Sequence, residues 1–176
     1  MKFIETRLKG AFVIEPELLE DERGYFARVY CENEFLAHGL QPQVRQCNIS
    51  RNREKGTLRG FHYQCQPHAE IKLIRCVRGA IYDVIIDLRR DSPTHGGWFA
   101  IELSEENRKQ LYVPEDFAHG FLTLADETEV FYQMSAFYEP QASRGIRFND
   151  PAFNVVWPYP IHMISDKDAG WPDHVE

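Results

Sequence analysis

The chain is short of most features that would take it outside the ordinary globular class. It has four cysteines, Cys31, Cys47, Cys65 and Cys76, with no CxxC pair and no regular spacing. That pattern excludes a disulfide framework and points to reduced thiols. No apolar run approaches the roughly 20 residues needed to cross a bilayer. Nothing at the N-terminus reads as a secretory leader, so the expected location is the cytoplasm. Positive charge is also in deficit: 20 Lys and Arg stand against 27 Asp and Glu, a formal net charge of -7. Such a balance excludes broad binding to nucleic acid or anionic membrane. It leaves room for a small anionic ligand, because a local Arg/Lys cluster outweighs a global sign. Internal repeats, low-complexity tracts and linkers are absent, and helical signal is scarce.

What is present is a succession of β-branched and aromatic runs. They are Ala11–Ile14, Gly24–Tyr30, Gln43–Ser50, Thr57–Gln64, Ile71–Val77, Ala80–Leu88, Trp98–Leu103, Gln110–Val113 and Glu129–Ser135. Gly, Pro, Asn and Asp turn signals separate them. Many short strands at this spacing predict an all-β sandwich or barrel, in one domain over residues 1–176. A helix is expected at Glu32–His38, stopped by Gly39, and another at Ser104–Lys109, opened by Ser104. The Arg78-Gly79 pair between two strong runs reads as a hairpin turn.

Period-2 alternation then assigns faces. In Ala80–Leu88, Tyr82, Val84, Ile86 and Leu88 share one face, and Ile81, Asp83, Ile85 and Asp87 the other. In Thr57–Gln64, His62 falls with Leu58, Gly60 and Gln64, opposite Arg59, Phe61 and Tyr63. Lys72 shares a row with Ile74 and Cys76. A lysine there either snorkels from a strand end or serves a polar cavity.

Three stretches are dense in reactive groups: Lys55–Gln64, Pro114–Phe121 and Ser165–Asp168. A metal site of the usual β-barrel kind needs a histidine pair one residue apart, a carboxylate and a distant histidine. His62 is followed by Tyr63 and Gln64, so the second ligand is missing and no metal or other cofactor is expected.

These motifs occur in an order that resembles one family. Asp21–Phe26, Gln46–Ser50, Gly56–Gln64, Lys72-Leu73, Asp83–Arg89, Ser92–Thr94, Pro114–Phe121, Gly145-Ile146, Asn149–Pro151, Trp157-Pro158 and Ser165–Asp168 together resemble the dTDP-4-dehydrorhamnose 3,5-epimerases. The resemblance runs from about Arg7 to Asp168. It implies a cupin-like jelly-roll β-barrel with a few short helices, a homodimer, no metal, and a nucleotide-linked 4-keto-6-deoxy sugar as substrate. It also implies roles: His62 as base with Asp168 as its partner, Tyr132 as general acid, and Lys72 facing the developing oxyanion. Arg23, Gln46, Asn48, Arg59 and His119 match ligand-binding positions, with Arg23 and Arg59 on the diphosphate, and Tyr138 matches the residue that stacks on the base.

The chemistry needs those types. A C4 ketone acidifies the protons on C3 and C5, since loss of either gives an enolate. A neutral imidazole is a suitable base near pH 7, and a carboxylate on its other nitrogen fixes the tautomer. An ammonium beside the C4 oxygen stabilises the enolate. Inversion takes a proton from the opposite face, which a phenol supplies.

The chain departs from the family pattern at Arg28 and Ser143, where glutamates are usual. Thymine N3–H suits an acceptor, whereas cytosine N3 and O2 suit a donor such as Arg28. A CDP-linked sugar therefore stands beside the dTDP sugar as an expectation. So do inversion at one carbon only and a non-catalytic sugar-nucleotide-binding jelly roll. Arg59 poses a separate puzzle: strict alternation aims it away from His62. A bulge, a different part of the site, or a neighbouring subunit's pocket would each reconcile the two.

Overall fold

A computed structural model describes residues 1–174. In chain order the strands are β1 (Lys2–Glu5), β2 (Phe12–Glu15), β3 (Leu18–Asp21) and β4 (Gly24–Ala27), followed by helix α1 (Glu32–Ala37). Next come β5 (Gln46–Asn52), β6 (Thr57–Gln64), β7 (Lys72–Arg78), β8 (Ala80–Asp87), β9 (Trp98–Ser104) and β10 (Gln110–Val113). The chain continues through β11 (Phe117–Thr123), β12 (Thr128–Met134), β13 (Ser143–Gly145), β14 (Met163–Ile164) and α2 (Asp166–Ala169).

Two sheets face each other. One runs β1-β2-β10-β7-β12-β5; the other runs β13-β6-β11-β8-β9, with β14 added in parallel to β6. Between them lie Val13, Ile74, Leu111 and Val130 from the first sheet, against Ile81, Ile85, Leu103 and Phe121 from the second. This is the expected cupin-like jelly roll. The outer face of the second sheet buries Phe61, Val84, Ile86 and Ala118 under Ile146 and Phe153. Helix α1 covers the first sheet through Phe35, which is 1% exposed, against Ile14, Leu73 and Tyr112. The alternation read in Ala80–Leu88 holds: Ile81 and Ile85 enter the inner core, while Val84 and Ile86 enter the outer one.

Two local expectations are corrected. Arg78-Gly79 is no hairpin turn, because β7 pairs with β10 and β12 while β8 pairs with β11 and β9. The turn instead carries the chain from one sheet to the other. A tight glycine turn is the same local signal for both, and only the choice of partners separates them. The expected Ser104–Lys109 helix is a turn. Ser104 Oγ accepts from the Asn107 amide at 3.1 Å, and Asn107 Oδ1 accepts from the amides of Ser104 and Lys109 at 3.1 and 3.0 Å. The capping groups close on each other and propagate no helix.

β11 is a strand that the sequence pattern does not announce. It is buried throughout and central in its sheet, so FAHGFLT carries no alternation to detect. Its partner β6 contains the feature that places Arg59. His119 pairs with His62 but Phe121 pairs with Arg59, so two steps on β11 span three on β6. That is a bulge, centred on Gly60, whose φ is +124°. A Cβ there would lie 2.4 Å from Gly120 Cα, so the two backbones meet at a distance only glycine permits. The extra residue returns Arg59 to the face of His62, while Phe61, opposite His62 by ordinary alternation, enters the outer core.

Candidate active site

At one end of the barrel, polar side chains replace the apolar filling and leave a cavity of about 460 Å³. β5 contributes Gln46, Asn48 and Ser50; β6 contributes Arg59, His62, Tyr63 and Gln64. Lys72, His119, Phe121, Tyr132 and Met134 enter from β7, β11 and β12, Glu70 precedes β7, and Tyr138, Ser143 and Lys167 complete the wall. Among the residues lining it, the cations Arg59, Lys72 and Lys167 outnumber the acids, of which Glu70 is one. An acidic chain thus carries a cationic pocket, suited to an anionic ligand.

His62 Nε2 lies 2.6 Å from Asp168 Oδ1. A carboxylate accepts, so Nε2 carries the proton and Nδ1 is left as the basic nitrogen. Asp168 arrives on α2, whose N-cap Ser165 accepts from the Asp168 amide at 3.1 Å. Its second oxygen accepts from the Gly60 amide at 3.3 Å, so the bulge also holds the dyad. Burial pushes the Asp168 carboxyl up, but the His62 hydrogen bond and charge outweigh it and leave it below the ordinary carboxylate range.

A second imidazole–carboxylate pair stands one strand away. His119 Nε2 meets Asp83 Oδ1 at 2.6 Å, both almost fully buried, and the other Asp83 oxygen is buried without a partner. The His119 ring lies 6.3 Å from that of Tyr132. The Tyr132 hydroxyl is 3.2 Å from Ser50 Oγ. Burial raises the Tyr132 phenol far above its usual value, with the Ser50 hydrogen bond opposing, so it stays protonated and able to donate.

Lys72 is 5% exposed, which rejects the snorkelling reading. Its ammonium donates to the His62 carbonyl at 3.0 Å and sits 3.2 Å from Glu70 Oε1. Two of its three protons are spoken for, and one remains for a ligand oxygen. Arg59 Nε donates to Asn52 Oδ1 at 2.6 Å, orienting the guanidinium toward the cavity it lines. Gln46 Oε1 accepts from the Tyr138 amide at 2.9 Å, and its amide nitrogen is 3.4 Å from Asn48 Oδ1. Tyr138 stands 55% exposed at the rim, open to a stacking partner.

Of the eleven residues singled out from sequence, two lie apart. Arg23 projects from the β3–β4 hairpin, 90% exposed and bound to Asp21. Arg28 is held by Glu34 at 2.9 Å. Neither lines this chain's own cavity. Missed residues are Asp83, Glu70, Ser50 and Lys167. Ser50 and Glu70 were within reach of alternation, since each lies two residues from an assigned inward position, Asn48 and Lys72. Among the described residues, no three His, Cys, Asp or Glu side chains converge as a metal requires.

Comparison with known proteins adds the following. Residues 5–176 match the family described as dTDP-4-dehydrorhamnose 3,5-epimerase. A dTDP-4-dehydrorhamnose 3,5-epimerase of Shigella flexneri is 43% identical over 177 residues, covering 100% of this chain and 97% of that one. The crystal structure of the Bacillus anthracis dTDP-4-dehydrorhamnose 3,5-epimerase with TDP and pyrophosphate bound superposes with a TM-score of 0.95 at 42% identity, over 98% of this chain and 99% of that one. The Legionella pneumophila enzyme in complex with dTDP-4-keto-L-rhamnose gives a TM-score of 0.92 at 34% identity, over 98% and 92% of the two chains.

Proposed function

This chain belongs to the dTDP-4-dehydrorhamnose 3,5-epimerase family, and we propose that the groups meeting in its cavity carry out the two inversions in named roles. The chain is an isomerase that converts dTDP-4-dehydro-6-deoxyglucose to dTDP-4-dehydrorhamnose. His62 Nδ1 removes the proton from C3 or C5, and Asp168 stabilises the imidazolium that forms. The electron pair moves to the C4 oxygen, where the free Lys72 N–H meets the oxyanion. Tyr132 gives its proton to the opposite face of the carbanion, and exchange with solvent restores both residues. Arg59 takes the diphosphate, Gln46 and Asn48 fix the nucleotide side, His119 holds the sugar, and Tyr138 stacks on the base.

The observation that carries this reading is the buried Lys72 beside the His62–Asp168 dyad in one cavity. It supports catalysis over simple binding, because a binding module has no use for a desolvated ammonium next to an oriented base. Thymidine is favoured over cytidine, since Arg28 is held by Glu34.

Arg23 enters the reading through a homodimer. The β3–β4 hairpin exposes Leu19 at 67% and Phe26 at 71%, and β5 and β1 are unpaired edges. A twin chain covers these apolar groups and brings Arg23 to the partner's diphosphate. The chain works as one domain, in a reducing cytoplasm that suits its four free thiols.

The test is incubation in deuterium oxide with dTDP-4-dehydro-6-deoxyglucose and its CDP counterpart, read by NMR at C3 and C5. Exchange at both carbons of the dTDP compound is expected. Exchange at one carbon, or with the CDP compound alone, overturns the assignment. Sedimentation as a monomer at micromolar concentration removes the role given to Arg23.

A further inference from the structure

Trp171 touches the catalytic dyad and has no part in the mechanism above. It follows α2 directly, one residue beyond the Gly170 that ends the helix. Its indole lies edge-on to His62, with ring centroids 6.4 Å apart and planes at 69°. Lys167, on the same helix, places its ammonium 5.4 Å from the indole centroid.

The indole also rests against Gly145, which pairs with His62 across β13 and β6. A Cβ at Gly145 would fall 2.2 Å from Trp171 Cε2 and 2.4 Å from Nε1. Gly145 does not occupy the left-handed region, so space and not conformation excludes a side chain. Beyond the indole the chain is pinned again: the Arg147 amide donates to the Pro172 carbonyl at 3.1 Å, and the Arg147 guanidinium meets Asp173 at 2.7 Å. Trp171 is therefore fixed on both sides along the chain and has a flat berth shaped for it. Its Nε1–H is buried and makes no hydrogen bond of normal geometry. It nevertheless lies close enough to Asp168 to add to the interactions, led by the His62 hydrogen bond, that offset burial and keep that carboxyl low.

We propose that Trp171 is a positioning residue for the His62–Asp168 dyad, an aromatic wall that fixes the plane of the imidazole and keeps water from the Asp168 carboxylate. The proposal rests on His62 being the base. Held this way, one imidazole keeps a single orientation while the sugar presents C3 and then C5. A base free to swing would lose proton-transfer rate without losing ligand affinity, because Trp171 does not line the nucleotide cavity.

The experiment uses the full chain with Trp171→Ala, Trp171→Phe, Gly145→Ala and the Gly145→Ala/Trp171→Ala pair. C3 and C5 exchange is followed with dTDP-4-dehydro-6-deoxyglucose. Trp171→Ala is expected to lower kcat at least tenfold with KM within about twofold, and Trp171→Phe to fall between it and the parent. Gly145→Ala displaces the indole and lowers kcat alone, yet adds nothing once the indole is gone. Additive losses, or a Trp171→Ala kcat equal to the parent's, overturn the proposal.

Fluorescence supplies a readout that a merely structural role would not move. A protonated imidazole quenches a neighbouring indole, so the parent-minus-Trp171→Phe emission is expected to step with pH and to lose that step in His62→Asn. A flat difference overturns the contact. Should Trp171→Ala fail to fold, Trp171→Phe and Gly145→Ala still decide the question through kcat. His62→Asn separates the two readings: exchange surviving there removes the base, whereas exchange lost there but untouched in the Trp171 variants removes the wall alone.

Discussion

Lys72→Met tests stability and catalysis at once and separates them. Methionine keeps the length and most of the volume of the stem but removes the ammonium. Lys72 and Glu70 are only 7% and 8% exposed at their side chains, so the pair lies in the buried regime. Deleting one member of a buried pair costs about 3–5 kcal/mol, because the other charge is stranded. Protonating a carboxyl at pH 7 costs roughly 3.7 kcal/mol from an ordinary value near 4.3, which sets the ceiling. The expected loss is therefore about 3 kcal/mol, measured by urea unfolding at pH 7. Adding Glu70→Gln removes the stranded charge, and the double variant is expected to return to within about 1 kcal/mol of the parent. Activity behaves differently. In the proposed mechanism the ammonium proton left over after the His62 carbonyl and Glu70 meets the enolate oxygen, and removing such a donor is expected to cost on the order of 10²–10³ in kcat. Glu70→Gln does not restore it. NMR exchange at C3 and C5 supplies the rate. A double variant that regains both stability and rate, or a Lys72→Met exchange rate within threefold of the parent, refutes the oxyanion role.

Tyr132→Phe keeps the buried ring but loses the donor held by Ser50; proton loss at C3 and C5 is expected to continue while inverted product falls about 100-fold, as chiral analysis of the sugar will show. Asp168→Asn keeps one acceptor oxygen for two donors, the Gly60 amide and His62 Nε2–H, turns an NH2 toward one of them and removes the charge that steadies the imidazolium, so kcat is expected to fall on the order of 10²–10⁴ with the fold intact by circular dichroism. Burial raises the Asp87 carboxyl, but hydrogen bonds from Arg89, Ser92 and Thr94 outweigh it and bring it down to about 2. A lowered folded value gives stability present above the unfolded value near 4 and lost as pH falls toward 2, so the advantage over Asp87→Asn, about 2 kcal/mol at pH 7, should vanish across that window in unfolding titrations. Gly60→Ala forces a Cβ to 2.4 Å from Gly120 Cα at positive φ, and a loss of about 3 kcal/mol is expected in thermal unfolding.

The parts of the fold legible in sequence are those where one strand decides its own pattern. Thr57–Gln64 and Gln110–Val113 match β6 and β10 end to end, and the alternation in Ala80–Leu88 names which isoleucines face which core. What was not legible depends on a partner strand. The hairpin reading of Arg78-Gly79 failed because a turn does not say which sheet the next strand joins. β11 was hidden because a strand buried on both faces has no polar side to alternate with.

The site divides along the same line. Lys72 and Tyr132 stand out as polar groups in apolar rows, but the roles of His62, Lys72 and Tyr132 and the choice of Gln46 and Asn48 come from the ordered motifs that resemble the family. Arg59, assigned by the same resemblance, defied strand alternation, and the reason is a residue with no side chain at all. Gly60 inserts one position into β6, which turns Arg59 inward, offers its amide to Asp168 and lets Gly120 approach to near-contact. Gly145 acts in the same manner for Trp171, leaving room where any side chain would push the indole off His62. Reactive side chains announce themselves in a sequence, whereas the glycines that aim them are visible only once the neighbouring strand is in place. A methyl group at either glycine is therefore expected to cost activity through residues it never touches chemically, Arg59 and Asp168 in one case and His62 in the other.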